Sequence, residues 1–254
     1  FLAVNHLEAH ALTVGLTGLG WAVHTAYLAN LMRGRGELPV TTVRESLLVL
    51  AWLLAIIDLY LVLRSNRPVA AGRFILPVVV ALSAFAALAG NRVSWVRWGG
   101  PERFWIDVHI AFQVLGAGAT CAAFVAGLMF LAQSARLKRK RPSRSGLPLP
   151  SLEQSERLHR GAITIAFPLL SCGLVIGSIL IAAFRRRGDD VLAWNDPKIL
   201  SSFALWCVVL AVLLVARFRP AMRGRRVMLL TVLAFGVLLF AWVGVGLLVP
   251  TAHG

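Results

Sequence analysis

Two of the six histidines in this 254-residue chain stand where an apolar stretch meets a polar segment. His109 opens one apolar stretch, and His253 follows the end of another, on the same predicted side of a membrane. Two neutral imidazoles that face each other at one depth could supply both axial ligands of a haem iron. In the alternative interpretation, His109 is an interfacial polar residue and His253 lies in a frayed terminus, with no joint role.

The segment 185–198 lies between these two histidines in the sequence and begins with three consecutive arginines. Guanidinium groups form strong paired hydrogen bonds with carboxylates, so Arg185 and Arg187 could hold ligand carboxylates such as haem propionates. The same arginines could instead lie among lipid phosphates or pair with Asp189 and Asp190.

The end of this segment carries the pattern of a helix start. Asp196 followed by Pro197 predicts an N-cap residue and a first helical residue, and Lys198 comes next. Trp194 fits an aromatic anchor at the level of the lipid headgroups. We therefore expect segment 185–198 to be an external loop that leads into a helix.

Other polar residues in or near the apolar stretches are weaker candidates. We expect His24 to pack inside the protein with a hydrogen-bonding neighbour, because polar residues in membrane helices face protein rather than lipid. Asp58 invites a proton-relay hypothesis, but no chain of acids or histidines across the membrane can be traced from it. His6, His10 and His159 are expected to be solvated at the cytoplasmic edge.

The composition identifies the elements that must hold these side chains. Hydrophobic residues make up 58% of the chain and charged residues 15%, against about 45–50% and 25% in soluble domains. Disorder is excluded by the apolar content, and a disulfide scaffold by three cysteines that all lie in apolar runs. The sequence predicts an all-α transmembrane bundle, forming a single integral membrane domain over 1–254. Its seven predicted spans are 9–32, 46–63, 74–90, 108–133, 161–184, 199–216 and 227–249.

The distribution of basic residues predicts the orientation. The loops after the second, fourth and sixth spans hold sixteen Lys and Arg residues against two acids, whereas the other three hold ten against seven. Because Lys and Arg accumulate in cytoplasmic loops, we expect loop 134–160 to be cytoplasmic and the C-terminus to be external. Anionic lipids, not nucleic acid, are the expected neighbours of the basic run 138–144. The expected location is the plasma (inner) membrane of a bacterium. Since residue 1 is not Met, the native chain is expected to begin earlier, with one further span possible.

Four motifs follow one another in the order of a known family. They are segment 36–47, with Gly36, Pro39 and Glu45-Ser46-Leu47, followed by Trp52; His109 at a span start; Trp194-Asn195-Asp196-Pro197-Lys198 with Trp206; and Arg223-Gly224-Arg225-Arg226 with Gly244 and Gly246 before His253. Together they resemble the cytochrome c assembly family of haem-handling membrane proteins, which includes CcsA, ResC and HemX-like proteins.

The resemblance implies a site and a role. In that family two external histidines hold haem under a tryptophan-rich loop, where it is presented to the CxxCH motif of an apocytochrome c. Carried over, His109 and His253 become axial ligands of b-type haem, and Trp194, Asp196, Pro197 and Lys198 form the platform. The implied partners are haem, apocytochrome c and a ResB-like membrane protein.

The departures from the family pattern keep other functions open. Ala193 and Asn195 stand where aromatic residues are expected, Ile199 replaces a glutamate, and Leu214 replaces a histidine near the cytoplasmic end of a span. Whether the chain takes part in haem attachment is therefore left undecided. It could be a structural or regulatory relative, acting as a subunit of a respiratory or photosynthetic complex or in the control of tetrapyrrole synthesis. A transporter of small solutes gains support only from Asp58 and the number of spans.

Overall fold

The computed structural model describes residues 2–35, 38–40, 42–64, 72–89, 102–138, 150–187, 196–218 and 224–240. Within these ranges the protein is built from seven α-helices and contains no strand. The helices are α1 (Leu2–Arg35), α2 (Val43–Arg64), α3 (Gly72–Leu88), α4 (Arg103–Lys138), α5 (Leu152–Arg186), α6 (Pro197–Phe218) and α7 (Arg225–Leu239). The predicted all-α bundle is confirmed.

Each predicted span overlaps one of these helices, and residue 90 of the third span and residues 241–249 of the seventh lie outside the described residues. Four helical segments among the described residues are long and apolar enough to cross a membrane, by length and composition: Val43–Leu63, Arg103–Lys138, Leu152–Arg186 and Ile199–Phe218. Helix α3 is a shorter apolar helix of 17 residues. With 36 and 35 residues, α4 and α5 are about 54 and 52 Å long, so each exceeds the bilayer core of about 30 Å.

Helix α4 lies at the centre of the bundle. In its most apolar window 72% of the residues are buried, against 22–39% in the other three candidate spans. Small residues allow this burial, because Gly116, Ala117 and Gly118 let neighbouring helices approach closely. Phe124 of α4 stacks on Phe235 of α7 with ring centroids 3.9 Å apart, which fixes the contact between these two helices.

The connection between α4 and α5 is shorter than the predicted loop 134–160. Helix α4 continues to Lys138 and α5 begins at Leu152. Ser151 caps α5 by accepting a hydrogen bond from the Gln154 backbone, and the Gln154 side chain accepts one from the Ser151 backbone. This reciprocal pair satisfies two helix-end donors that would otherwise lack partners, so the start of α5 is sharply defined.

Helix α1 packs along α2 at the edge of the bundle. Trp21 stacks on Trp52 of α2 at 5.9 Å, and Trp52 Nε1 donates to Thr25 Oγ1 at 2.8 Å. Thr42 caps α2 by accepting from the Glu45 backbone at 3.1 Å. Trp52, which follows the first motif of the resemblance, therefore links α1 to α2 by ring stacking and a hydrogen bond.

Candidate functional site

His109 lies in the second turn of α4 and faces α5. Its Nδ1 is 2.7 Å from the backbone carbonyl oxygen of Gly173. A carbonyl oxygen can only accept a hydrogen bond, so Nδ1 carries the proton and, in the neutral ring, Nε2 carries the lone pair. Metal-bound histidines characteristically donate their second ring N–H to a carbonyl or carboxylate. The ring is therefore held in the tautomer that an Nε2-bound metal requires.

Two glycines of α5 shape the surface that this ring contacts. A Cβ atom added to Gly177 would lie 2.7 Å from His109 Cε1, and one added to Gly173 would lie 3.0 Å from Gln113. Neither glycine was singled out from the sequence, although their spacing of four residues was a signal for close helix packing. Both belong to the site.

Near His109, the end of α5 is tied to the residue preceding α4. Arg187 Nη2 donates to Glu102 Oε1 at 2.6 Å, and the Glu102 side chain is 16% exposed. This hydrogen bond, aided by the charge of Arg187, holds the pKa of Glu102 below its ordinary value of 4.5. Arg187 thus has a carboxylate partner that the sequence analysis did not consider. Arg185, two residues earlier, is exposed in the last turn of α5.

The predicted helix start at Asp196 and Pro197 is confirmed. Helix α6 begins at Pro197, and its first backbone hydrogen bond runs from the Leu200 N–H to the Asp196 carbonyl at 3.0 Å. Asp196 is buried, and Lys198 is the second residue of α6. The start of α6 is therefore defined by this hydrogen bond and by the proline at its first position.

The remaining predicted site residues are not all described. Trp194 and His253 lie outside the described residues, so the structure gives the geometry of His109 alone among the two predicted ligands. Trp206 is described, and its Nε1 donates to Ser171 Oγ of α5 at 2.8 Å. In the described part of the chain, no cluster of three or more His, Cys, Asp or Glu side chains could hold a metal ion.

The expectation that His159 is solvated is wrong. Its side chain is 2% exposed, and Nε2 is 2.6 Å from Thr231 Oγ1 of α7. Thr231 in turn donates its hydroxyl proton to the Val227 carbonyl at 3.1 Å. Its oxygen therefore accepts the Nε2 proton, and His159 joins α5 to α7.

The structure also describes His24 and Asp58, two polar residues of the apolar stretches. The Nε2 atom of His24 is buried and has no hydrogen-bond partner among the described residues, although a bonded neighbour was expected. Asp58 is fully buried, and it lies beside Gly72 at the start of α3, with both carboxylate oxygens 3.4 Å from a Cβ built there. Neither residue contributes to the geometry around His109.

Comparison with known proteins gives the family. Residues 40–253 match the family model described as Cytochrome C assembly protein, which confirms the resemblance drawn from the motifs. The chain is 34% identical over 171 residues to an uncharacterised 28.8 kDa protein of Azospirillum brasilense, covering 67% of this chain and 61% of that relative. It therefore spans about three fifths of that protein's length.

Two named relatives are more distant but match over more of their length. Protein HemX of Bacillus subtilis is 28% identical, with 81% of this chain and 72% of HemX aligned. Cytochrome c biogenesis protein CcsA of a Synechococcus strain is 25% identical, with 94% of this chain and 84% of CcsA aligned. No solved structure matches.

Proposed function

The chain belongs to the cytochrome c assembly protein family, and on that premise we propose that it is a multi-pass membrane protein that binds b-type haem for cytochrome c maturation. His109 and His253 would hold the haem iron at the external face of the membrane. Family membership supports a general role in haem handling. The two histidines and the haem type are part of the proposal.

The observation that carries the proposal is the hydrogen bond from His109 Nδ1 to the Gly173 carbonyl. It leaves the lone pair on Nε2, the nitrogen that would bind iron, and it restrains rotation of the ring. Haem, when bound, supplies the iron centre to which two imidazoles can coordinate. His109 fits this role by the chemistry of its donor atom and by the fixed tautomer.

The surrounding charges support an external haem with its propionates near the end of α5. Arg185 and Arg187 lie at the end of the helix that carries Gly173 and Gly177. Arg187 is held by Glu102, so a propionate on Arg187 would have to share or replace that carboxylate. The platform for the haem would be formed by the residues that follow in the sequence, Trp194, Asp196, Pro197 and Lys198.

The orientation proposed for the chain rests on the charge distribution. The connection between α4 and α5 is cytoplasmic, the segment that leads from the end of α5 to the start of α6 and the C-terminus are external, and the membrane is the plasma membrane of a bacterium. Lipid headgroups contact the cytoplasmic arginines and lysines. Apocytochrome c and a ResB-like membrane protein are the proposed partners at the external face.

Absorption spectra of the purified full chain, oxidised and dithionite-reduced, test this function together with a pyridine haemochrome assay. We expect about one b-type haem per chain and a sharp reduced α-band, as for two histidine ligands. His109→Ala and His253→Ala should each lower the haem content, whereas His24→Ala should leave it unchanged. Unchanged haem content in both ligand variants would refute the site.

A second candidate function is supported by the departures from the tryptophan-rich pattern. The tryptophan-rich pattern lacks its expected residues at Ala193, Asn195 and Ile199, and Leu214 stands where the family has a histidine. Relatives named HemX are among those that match. The chain would then bind haem as a regulatory or structural subunit without passing it on. Haem at unit stoichiometry, with no transfer to an apocytochrome carrying CxxCH, would favour this second function.

A further inference from the structure

We propose that Gly173 and Gly177 of α5 form a slot that positions the His109 imidazole and selects Nε2 as its metal-binding nitrogen. This inference rests on the proposed function, because the slot matters for chemistry only if His109 binds iron. Gly173 and Gly177 are positioning residues, and they act through His109 rather than by touching the ligand.

Helices α4 and α5 meet in a regular register around His109. His109 lies opposite Gly177, Gln113 lies opposite Gly173, and Gly116 lies opposite Leu170. Steps of four and three residues along α4 are matched by the same steps in reverse along α5. The helices are therefore antiparallel with a constant register over this region, and His109 meets Gly177 as part of a regular interface.

Side chains of α4 fill the space beside each of the two glycines. The three heavy atoms nearest to a Cβ at Gly177 all belong to the His109 ring, with Cε1 at 2.7 Å and Nδ1 at 3.0 Å. The three nearest to a Cβ at Gly173 all belong to the Gln113 side chain, at 3.0–3.1 Å. In a general close-packing motif, small residues bring two backbones together. Here they make room for a histidine ring and the side chain one turn below it.

A hydrogen bond to Gly173 holds the ring within the slot. The Gly173 carbonyl accepts from His109 Nδ1 at 2.7 Å, while Gly177 contacts the same ring from the next turn. A methyl group at Gly177 cannot be accommodated unless the ring moves, and moving the ring breaks or bends this bond. The position of the His109 ring against Gly177 and the protonation of its Nδ1 therefore depend on each other.

Gly177→Ala in the full-length protein tests the slot. We expect the variant to fold but to bind haem about 10-fold or more weakly, as for the loss of an outer-shell partner, with a shifted α-band and reduction potential. Gly161→Ala is the matched control, because Gly161 lies on the same helix with nothing within 4 Å of its Cβ position. It should keep the native spectrum.

A compensating pair tests the slot independently. Gly173→Ala alone should perturb the spectrum, because its new methyl group meets Gln113. Combining it with Gln113→Ala removes the atoms that it meets and should restore the spectrum. If Gly177→Ala does not fold, this pair and the ¹⁵N NMR tautomer of His109 in the haem-free native chain still decide the matter, since the proposal requires protonated Nδ1.

The outcomes separate the slot from the function. Native haem affinity, spectrum and potential in Gly177→Ala, or an Nε2-protonated tautomer, would overturn the slot while leaving the function intact if His109→Ala still loses haem. Unchanged haem in His109→Ala would overturn both.

Discussion

Replacing Thr231 by valine removes the acceptor that joins His159 of α5 to α7. In the native protein the His159 Nε2–H donates to Thr231 Oγ1 at 2.6 Å, and both side chains are almost completely buried. Valine keeps the approximate shape of threonine but cannot accept a hydrogen bond. The variant therefore leaves a buried N–H without its partner.

The expected loss of stability follows from two magnitudes. A buried donor that loses its partner costs about 1–3 kcal/mol in soluble proteins. Side-chain hydrogen bonds within membranes contribute less, about 0.6 kcal/mol on average and about 1.7 at most, because the unfolded chain in the membrane also finds partners. The 2.6 Å distance and the complete burial favour the upper part of that range. We expect Thr231→Val to lower the free energy of unfolding by about 1–1.7 kcal/mol.

A double-mutant cycle measures this interaction directly. Thr231→Val, His159→Leu and the double variant would be unfolded reversibly in mixed micelles, followed by circular dichroism. Removing both polar partners leaves neither buried group unsatisfied, so the double variant should be less destabilised than the sum of the singles, with a coupling of about 1 kcal/mol. Thr231→Ser, which keeps the hydroxyl, is the control. A coupling below about 0.5 kcal/mol, the level at which independent sites add, would refute the reasoning.

Three further predictions concern other contacts. Glu102→Gln should destabilise the protein at neutral pH, because the Arg187 ion pair, which lowers the Glu102 pKa from 4.5, stabilises the native state above that value. The difference from wild type should vanish as the pH falls through the lowered pKa, as measured by thermal unfolding. Gly116→Ala should cost about 1–3 kcal/mol by overpacking, since its Cβ would lie 2.7 Å from Leu170 Cδ2; a thermal melt measures it. Trp52→Phe removes the indole donor to α1 and should speed hydrogen exchange in α1.

For each of these three predictions, a specific result would contradict the stated physical reason. A Glu102→Gln effect that persists unchanged at low pH would mean that charge pairing with Arg187 is not its cause. Native stability in Gly116→Ala would mean that α4 and α5 separate easily at Leu170, and Gly161→Ala is again the control. Native exchange rates in the Trp52→Phe variant would mean that shape alone holds α1 to α2.

The helices could be predicted from sequence because each overlaps a long apolar run. The start of α6 at Asp196-Pro197 could be predicted from local capping chemistry. The burial of His159 could not. A count of apolar residues gives the axial position of a side chain near a helix end, whereas burial depends on which face of α5 meets α7. The partner of Arg187 could not be predicted for a related reason. Asp189 and Asp190 lie two and three residues further along the chain, whereas Glu102, its partner, lies eighty-five residues earlier.

The chemistry proposed for His109 is determined largely by a helix other than its own. Its sequence neighbours, Asp107 and Val108, explain neither the tautomer nor the ring position, because the acceptor of the Nδ1 proton and the surface beside the ring both belong to α5. The two glycines carry no functional groups, so a search for chemistry-bearing residues passes over them. Gly173 contributes a backbone carbonyl that accepts from His109, and Gly177 contributes the absence of a methyl group beside the ring. Whether a histidine in a membrane helix can act as a ligand therefore depends on the helix that faces it. Here the residues that decide are two glycines spaced four residues apart on α5.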